Sequence, residues 1–160
     1  MTPSEALLQK LDKWRPSGTR QTARVTEGAW TIDVTADRAD ELGCLVWELG
    51  VRRSGAAAAL DAAGLKAWGE RVAERATGLM EPLKLVEVDA PRGEALLRSE
   101  APTPKGDDLL YYEVLLRSSG TGNLRRYRGS HQTGNRREQV PFALTHEALA
   151  KLAGDLTAER

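Results

Sequence analysis

Histidine and cysteine are scarce in this chain of 160 residues, which has two histidines and one cysteine. Cys44 has no partner for an intrachain disulfide, so the sequence gives no sign of an oxidising compartment. A metal site would have to recruit scattered carboxylates with no recognisable spacing, so we predict no metal and no cofactor. Cys44 and either His131 or His146 are the residue types of a nucleophile pair. A lone cysteine in a strand is nevertheless more often an inert, buried residue.

Long apolar runs are also missing. The first residues, 1–5, do not combine a basic stretch with an apolar one, which argues against a secretory signal. No stretch approaches the roughly 18 apolar residues of a membrane-spanning helix. We therefore expect a cytoplasmic protein without a membrane segment.

The chain has no net charge, because 23 basic residues balance 23 acidic ones. The net charge therefore does not indicate a class of partner. With 41% hydrophobic and 29% charged residues, the composition is typical of a soluble globular protein. We expect one domain over residues 1–160.

Two glycine-containing stretches resemble nucleotide-binding motifs, but neither matches its motif in full. Residues 120–125 begin like a dinucleotide fingerprint, but they lack the third glycine and lead into a strand pattern instead of a helix. Residues 129–134 have the two-glycine spacing of a P-loop, but Asn135 and Arg136 stand where lysine and a hydroxyl residue are required. No catalytic pattern is left, and we consider an enzyme with an unrecognised site the least favoured class.

Three stretches have the apolar spacing of amphipathic helices. The first follows a capping box at Thr2 and Glu5, the second covers residues 60–80 with Asp61 as its N-cap, and the third follows Thr145. We expect His146, in the first turn of the third helix, to be solvated. The predicted apolar stripe of the first helix consists of Leu7, Leu8, Leu11 and Trp14.

Strands are predicted between the helices. Apolar and polar residues alternate at 30–36, 42–51, 83–89, 94–99, 110–117 and 124–130, with shorter or weaker signals at 21–26 and 140–144. The alternation places Leu45, Trp47, Leu49 and Val51 on one face of its strand, with Cys44 and Val46 on the other. Residues 101–106, which include two prolines, and 131–135 are predicted to be loops. The short connections predict an antiparallel sheet, and hence an α+β fold with three helices on one face of the sheet or at its edges.

The second and third helices match at an offset of 84 residues. Asp61 then coincides with Thr145, and Leu65, Trp68 and Val72 coincide with Leu149, Leu152 and Leu156. We therefore predict a duplicated strand–strand–helix unit, with halves at about 21–80 and 83–160. The competing explanation is that any two amphipathic helices share several apolar positions.

Charge is segregated along the chain. Residues 27–48 contain six acids and one arginine, whereas residues 117–137 contain six arginines and no acid. The two segments are either solvated surfaces, or attract each other within or between chains, or the basic one binds a polyanion. The candidate binding residues are Arg117, Arg125, Arg126, Tyr127, Arg128, Arg136 and Arg137.

The favoured function is a non-enzymatic interaction module, chaperone-like or an adaptor, that forms a homodimer and holds a protein partner. The order of elements (helix, strands, helix, strands, helix) is similar to that of small dimeric secretion chaperones, and no residue motif accompanies this resemblance. The alternative is an anion-binding or nucleic-acid-binding protein that uses the arginine-rich segment 117–137.

Overall fold

The computed structural model describes residues 1–55, 59–130 and 136–158, which form three helices and ten strands. The helices are α1 (Pro3–Asp12), α2 (Ala62–Arg75) and α3 (His146–Thr157). The strands are β1 (Ser17–Glu27), β2 (Trp30–Ala39), β3 (Gly43–Arg53), β4 (Leu83–Asp89), β5 (Glu94–Ser99), β6 (Thr103–Lys105), β7 (Asp108–Arg117), β8 (Thr121–Ser130), β9 (Glu138–Val140) and β10 (Phe142–Thr145). They form one antiparallel sheet, so the predicted α+β fold is confirmed. The loop predicted at 131–135, with His131, lies outside the described residues.

The main path of the sheet has the order β1-β2-β3-β8-β7-β5-β4, with β3 and β8 at its centre. The second half of β3 pairs with the start of β8, whereas the first half of β3 pairs with β10. Strand β9 pairs with β8 farther along the chain. Strands β9 and β10 therefore fill the gap that opens where β3 and β8 diverge.

Each helix begins at the cap that the sequence predicts. In α1, Thr2 Oγ1 accepts from the Glu5 N–H while Glu5 reaches back to the Thr2 N–H. In α2 and α3, Asp61 and Thr145 accept from backbone N–H groups in the first turn. These caps satisfy amide donors that a helix leaves unpaired at its start.

The helices cover one side of the sheet, and the hydrophobic core lies between the two layers. Helix α1 packs over β1 and β2, α2 over β4, β5 and β7, and α3 over β3 and β10. Leu65, Trp68 and Val72 of α2 and Leu149, Leu152 and Leu156 of α3 are buried in one cluster with the sheet. The Trp68 indole donates to the Leu156 carbonyl at 2.9 Å, which links α2 to the end of α3. None of the helices in the described ranges is long and apolar enough to span a bilayer.

The ion pair of Arg126 and Glu81 lies inside this core. Arg126 and Glu81 are each 5% exposed, and their closest nitrogen–oxygen distance is 3.4 Å. The Glu81 carboxylate also accepts from the Ser99 and Thr103 hydroxyls, at 2.8 and 3.0 Å. The Arg126 guanidinium stacks on the Tyr112 ring at 4.1 Å. These contacts supply the partners that a buried charge needs.

The prediction for β3 was wrong at its centre. The structure buries Cys44 and Val46 on the same side as Leu49 and Val51. The register against β2 slips near Trp47, since Glu48 pairs with Thr35 and Val46 pairs with Ala36. A bulge adds one residue and reverses the alternation beyond it, so Leu45 and Trp47 face away from the core.

Several element bounds and burial predictions also need correction. Helix α2 ends at Arg75, and β6 (Thr103–Lys105), within the predicted loop 101–106, pairs with β7. The strand expected at 140–144 is divided at Pro141, which has no N–H to offer a neighbouring strand.

His146 is 5% exposed because its backbone N–H bonds to the Leu42 carbonyl and draws the helix start onto the β2–β3 turn. Leu8 is 39% exposed, so it lies outside the buried stripe of α1.

Candidate protein-interaction surface

The side of the sheet opposite the helices is not covered by any element of the described residues. We call it the open face. It is formed by residues that alternate with the buried ones, together with those displaced by the bulge in β3. Its central residues are Leu45, Trp47, Glu48, Leu96, Arg98, Tyr111, Glu113, Leu115, Asn123, Arg125 and Tyr127.

Ion pairs cross the centre of the open face. Arg125 Nε lies 2.7 Å from Glu48 Oε2 and joins β8 to β3, so one pair links the basic segment to the acidic one. Glu113 on β7 accepts from Arg98 Nε at 2.9 Å, and also from Arg137, which precedes β9. Arg125 and Glu113 are directly opposed in the β7–β8 register. We call these five residues the arginine–glutamate network.

Aromatic rings lie beside this network. The Tyr111 and Tyr127 rings have centroids 5.9 Å apart, and the Arg137 guanidinium stacks on Tyr127 at 3.9 Å. Burial lowers the pKa of Arg137, but hydrogen bonds to Glu113 and Tyr111 outweigh this effect, so the pKa is raised. For Arg125, bonds to Tyr127 and Glu48 likewise outweigh burial and raise the pKa. The guanidinium groups are thus permanently charged, and arginine and tyrosine are residue types enriched at energetically important interface positions.

A recess opens at the corner where β2, β3 and β10 meet. We call it the corner recess. Its volume is about 570 Å³, and Leu42, which is 77% exposed, stands on its wall. A second hollow, of about 470 Å³, adjoins it through Arg38 and Leu45. Arg20, which lines this second hollow, stacks on Trp47 at 3.7 Å. The largely apolar lining consists of Pro16, Ser17, Arg38, Ala39, Asp40, Leu42, Gly43, Cys44, Leu45, Ala143, Leu144 and Thr145.

The chemistry of the corner recess favours binding over nucleophilic attack. Burial raises the pKa of the Cys44 thiol to about 11, with Asp40 contributing in the same direction, so the thiol is protonated at neutral pH. Backbone N–H groups of Gly43 and Leu42 hold the Asp40 carboxylate and lower its pKa. Asp40 thus fixes the turn that carries Leu42. In the described ranges, no group of three or more histidine, cysteine or acidic side chains is arranged to hold a metal ion.

The structure divides the seven residues predicted from the charge run. Arg125, Tyr127 and Arg137 come together on the open face, whereas Arg126 points into the core. Arg128 lies 3.8 Å from Asp108 and 3.6 Å from Glu138. Arg117 and Arg136 are exposed, and Arg136 borders a groove of about 310 Å³ that Arg128 also lines.

Sequence reasoning missed the corner recess and two members of the network, Arg98 and Glu113. The alternation of apolar and polar residues in β5 and β7 places both residues on the uncovered side. This pattern could have identified them from the sequence. The recess had no such signal, because it depends on the bulge in β3 and on the pairing of β10 with β3 across about 100 residues of chain.

No protein-family description matches this chain, and comparisons with curated proteins and with solved structures give no match either. The open face itself is therefore the basis for a functional assignment.

Proposed function

We propose that this protein is a non-enzymatic, cytoplasmic protein-interaction module that works as a homodimer and holds a segment of another protein on its open face. The observation that carries the proposal is the corner recess. It is a largely apolar hollow at the corner of β2, β3 and β10 whose lining includes Leu45 of the open face, and Arg20, which stacks on Trp47, lines the adjoining hollow. Interfaces commonly combine an apolar centre, where tyrosine, tryptophan and arginine are enriched, with a polar rim.

The charges of the open face support a protein partner over a free anion. Arg125 is paired with Glu48, and Arg98 and Arg137 are both paired with Glu113. A phosphate would have to displace these carboxylates. A polypeptide can instead place an apolar side chain in the recess and bond to the rim without breaking the pairs. We expect an extended or helical segment with one bulky apolar anchor.

A site-specific photocrosslinker tests this assignment. Placed at Ala143, which is exposed in the lining of the recess, it should form adducts with a partner in the producing cells. At Lys66, exposed on α2, it should not. The partner captured at position 143 is then purified, and its affinity is measured by calorimetry.

Two variants complete the test. Leu42→Asp should weaken binding of the purified partner at least about tenfold, because a carboxylate would enter an apolar contact. Met80→Asp is the matched control, since Met80 is also 77% exposed but lies outside the recess. Equal affinity for both variants would contradict the proposal.

Binding of a nucleic acid or another polyanion is the second candidate function. Two exposed arginines, Arg117 and Arg136, and the Arg137–Tyr127 stack favour it. Fluorescence anisotropy with mixed-sequence oligonucleotides should then show binding that falls steeply with salt. Arg117→Gln and Arg136→Gln should each reduce the salt slope by about one. No retention at low salt would end this candidate.

A further inference from the structure

Strand β1 forms one edge of the sheet and has few of the features that protect exposed edges. It pairs with β2, and no other strand of the described residues pairs with it. Its register is regular from Gln21 to Glu27, and none of its eleven residues is proline. The register against β2 shifts only between Ser17 and Gln21, and the seven regular residues that follow offer unpaired backbone groups to another strand.

The opposite edge is different. Strand β4 has seven residues, its register shifts between Leu85 and Glu87, and Pro82 and Pro91 lie close to its ends. Bulges, prolines and short length are the common ways of blocking an edge against further pairing. The two edges are therefore not equivalent, and β1 is the one open to a partner strand.

The two arginines of β1 are neutralised within the chain. Arg20 lies 2.7 Å from Asp37, and Arg24 lies 2.7 Å from Asp33, so both arginines are paired to β2. Charged side chains commonly protect an edge by repelling an incoming strand. Here that repulsion is reduced.

We propose that the free edge of β1 pairs antiparallel with β1 of a second copy around a twofold axis at Ala23. This inference rests on the homodimer of the proposed function and names its interface. An axis at Arg24 would oppose the two copies of that arginine directly, which is unfavourable. An axis at Val25 would bring the pairing to the turn at Gly28, which has a φ of +61°. The axis at Ala23 avoids both problems and places Thr22 opposite Arg24 of the second copy.

This pairing joins the two sheets into one. A twofold axis perpendicular to the sheet keeps both helix layers on one side and both open faces on the other. The dimer then presents two corner recesses on the same surface. One strand pair buries less area than a standard interface, so we expect weak association in the micromolar range.

Charge changes at Thr22 test the interface and its register. Thr22→Lys would oppose a lysine to Arg24 of the second copy and should weaken dimerisation, whereas Thr22→Glu should strengthen it. Each effect should be about three- to thirtyfold, because two symmetry-related pairs each contribute as an exposed cross-strand ion pair does. Both should shrink as salt is raised. Sedimentation velocity over a range of concentrations measures the dissociation constants.

Thr35→Lys is the matched control. Thr22 and Thr35 share a hydrogen bond of 2.8 Å between their hydroxyls, so both lysine variants lose the same contact and gain the same charge. Position 35 lies one strand farther from the axis, so its variant should dimerise like the wild type. Circular dichroism checks that each variant is folded.

A wild-type chain that stays monomeric at high micromolar concentration overturns the inference. A dimer whose dissociation constant is unchanged by both substitutions at Thr22 overturns it as well. Partner binding is read separately with Leu42→Asp. A wild-type chain that is monomeric but binds its partner through Leu42 would overturn the dimer and its interface, whereas a dimer that responds to Thr22 but whose partner binding is unaffected by Leu42→Asp would overturn only the assignment of the open face.

Discussion

Arg125 and Arg126 are neighbours in the chain, but they lie on opposite sides of the sheet. Arg125 is half-buried on the open face and pairs with Glu48, whereas Arg126 is in the core with Glu81. An exposed pair contributes only about 0–1 kcal/mol, because water already solvates both charges. Breaking a buried pair is far more costly, because it leaves one charge uncompensated.

The first prediction compares these two arginines. Arg126→Met should lower the free energy of unfolding by about 3–5 kcal/mol, because Glu81 stays buried with only hydroxyl partners. The double variant Arg126→Met, Glu81→Leu should lose less, since no charge is left unpaired. Arg125→Met is the control, and it should cost about 0–1 kcal/mol. Urea denaturation measures all three, and equal losses at positions 125 and 126 would contradict the assignment of a buried pair.

The second prediction concerns Cys44. With a thiol pKa of about 11 and a buried side chain, the folded protein should not react with iodoacetamide at pH 8. In denaturant the thiol is exposed and its pKa returns toward the ordinary value, so alkylation should go to completion. Mass spectrometry counts the adducts under both conditions. Rapid alkylation of the native protein at pH 8 would show that the thiol is accessible and activated.

At the scale of single elements, Gly122 marks a close approach in the centre of the sheet. A Cβ atom built there would lie 2.9 Å from Leu116 Cδ2 and 3.3 Å from Val51 Cγ2. Gly50, on the neighbouring strand, faces the other side of the sheet, and its nearest neighbour would be Asn123 Oδ1 at 3.5 Å. Gly122 therefore allows close packing, whereas Gly50 faces ordinary space.

The third prediction follows from this contrast. Gly122→Ala should destabilise the protein by about 1–3 kcal/mol, because the added methyl overpacks the core beneath α2. Gly50→Ala should be neutral, or stabilising by up to about 1 kcal/mol, because alanine reduces the freedom of the unfolded chain. Thermal unfolding compares the two variants. A larger loss at Gly50 than at Gly122 would mean that the two faces of the sheet are assigned the wrong way round.

The elements that local chemistry specifies could be predicted from sequence. Thr2, Asp61 and Thr145 begin helices because a side-chain oxygen next to an apolar stripe satisfies the first amides. Residues 83–89 and 94–99 were likewise predicted as strands with a short connection, and they pair antiparallel as β4 and β5. The bulge at Trp47 was not, because two registers of β3 satisfy the alternation equally well until β2 and β10 fix one of them.

For the whole molecule, the candidate site was only partly accessible to sequence reasoning. Clustering along the chain identified Arg125, Tyr127 and Arg137, which do meet on the open face. It also included Arg126, because a run of like charges does not show which members alternate into the core. The corner recess joins the β2–β3 turn to β10, and only the long-range topology brings those segments together.

The two predicted halves of the chain are interdependent in this topology. Residues of β10 pair with the first half of β3, α3 packs over β3 and against α1, and β3 pairs with β8 at the centre of the sheet. The second half thus supplies a strand and a helix that the first half needs in order to bury its apolar residues. The duplication itself stays a prediction.

The fourth prediction is that neither half folds alone. Fragments 1–81 and 82–160 should each lack a cooperative unfolding transition. The cut exposes the edge of β3 in the first fragment and the edge of β8 in the second, and it removes contacts of α2 or α3. The intact chain should unfold in a single step, with coincident transitions by tryptophan fluorescence and far-ultraviolet circular dichroism. A fragment that unfolds cooperatively, or two separated transitions in the intact chain, would instead indicate two autonomous units. That outcome would also count against one domain over residues 1–160.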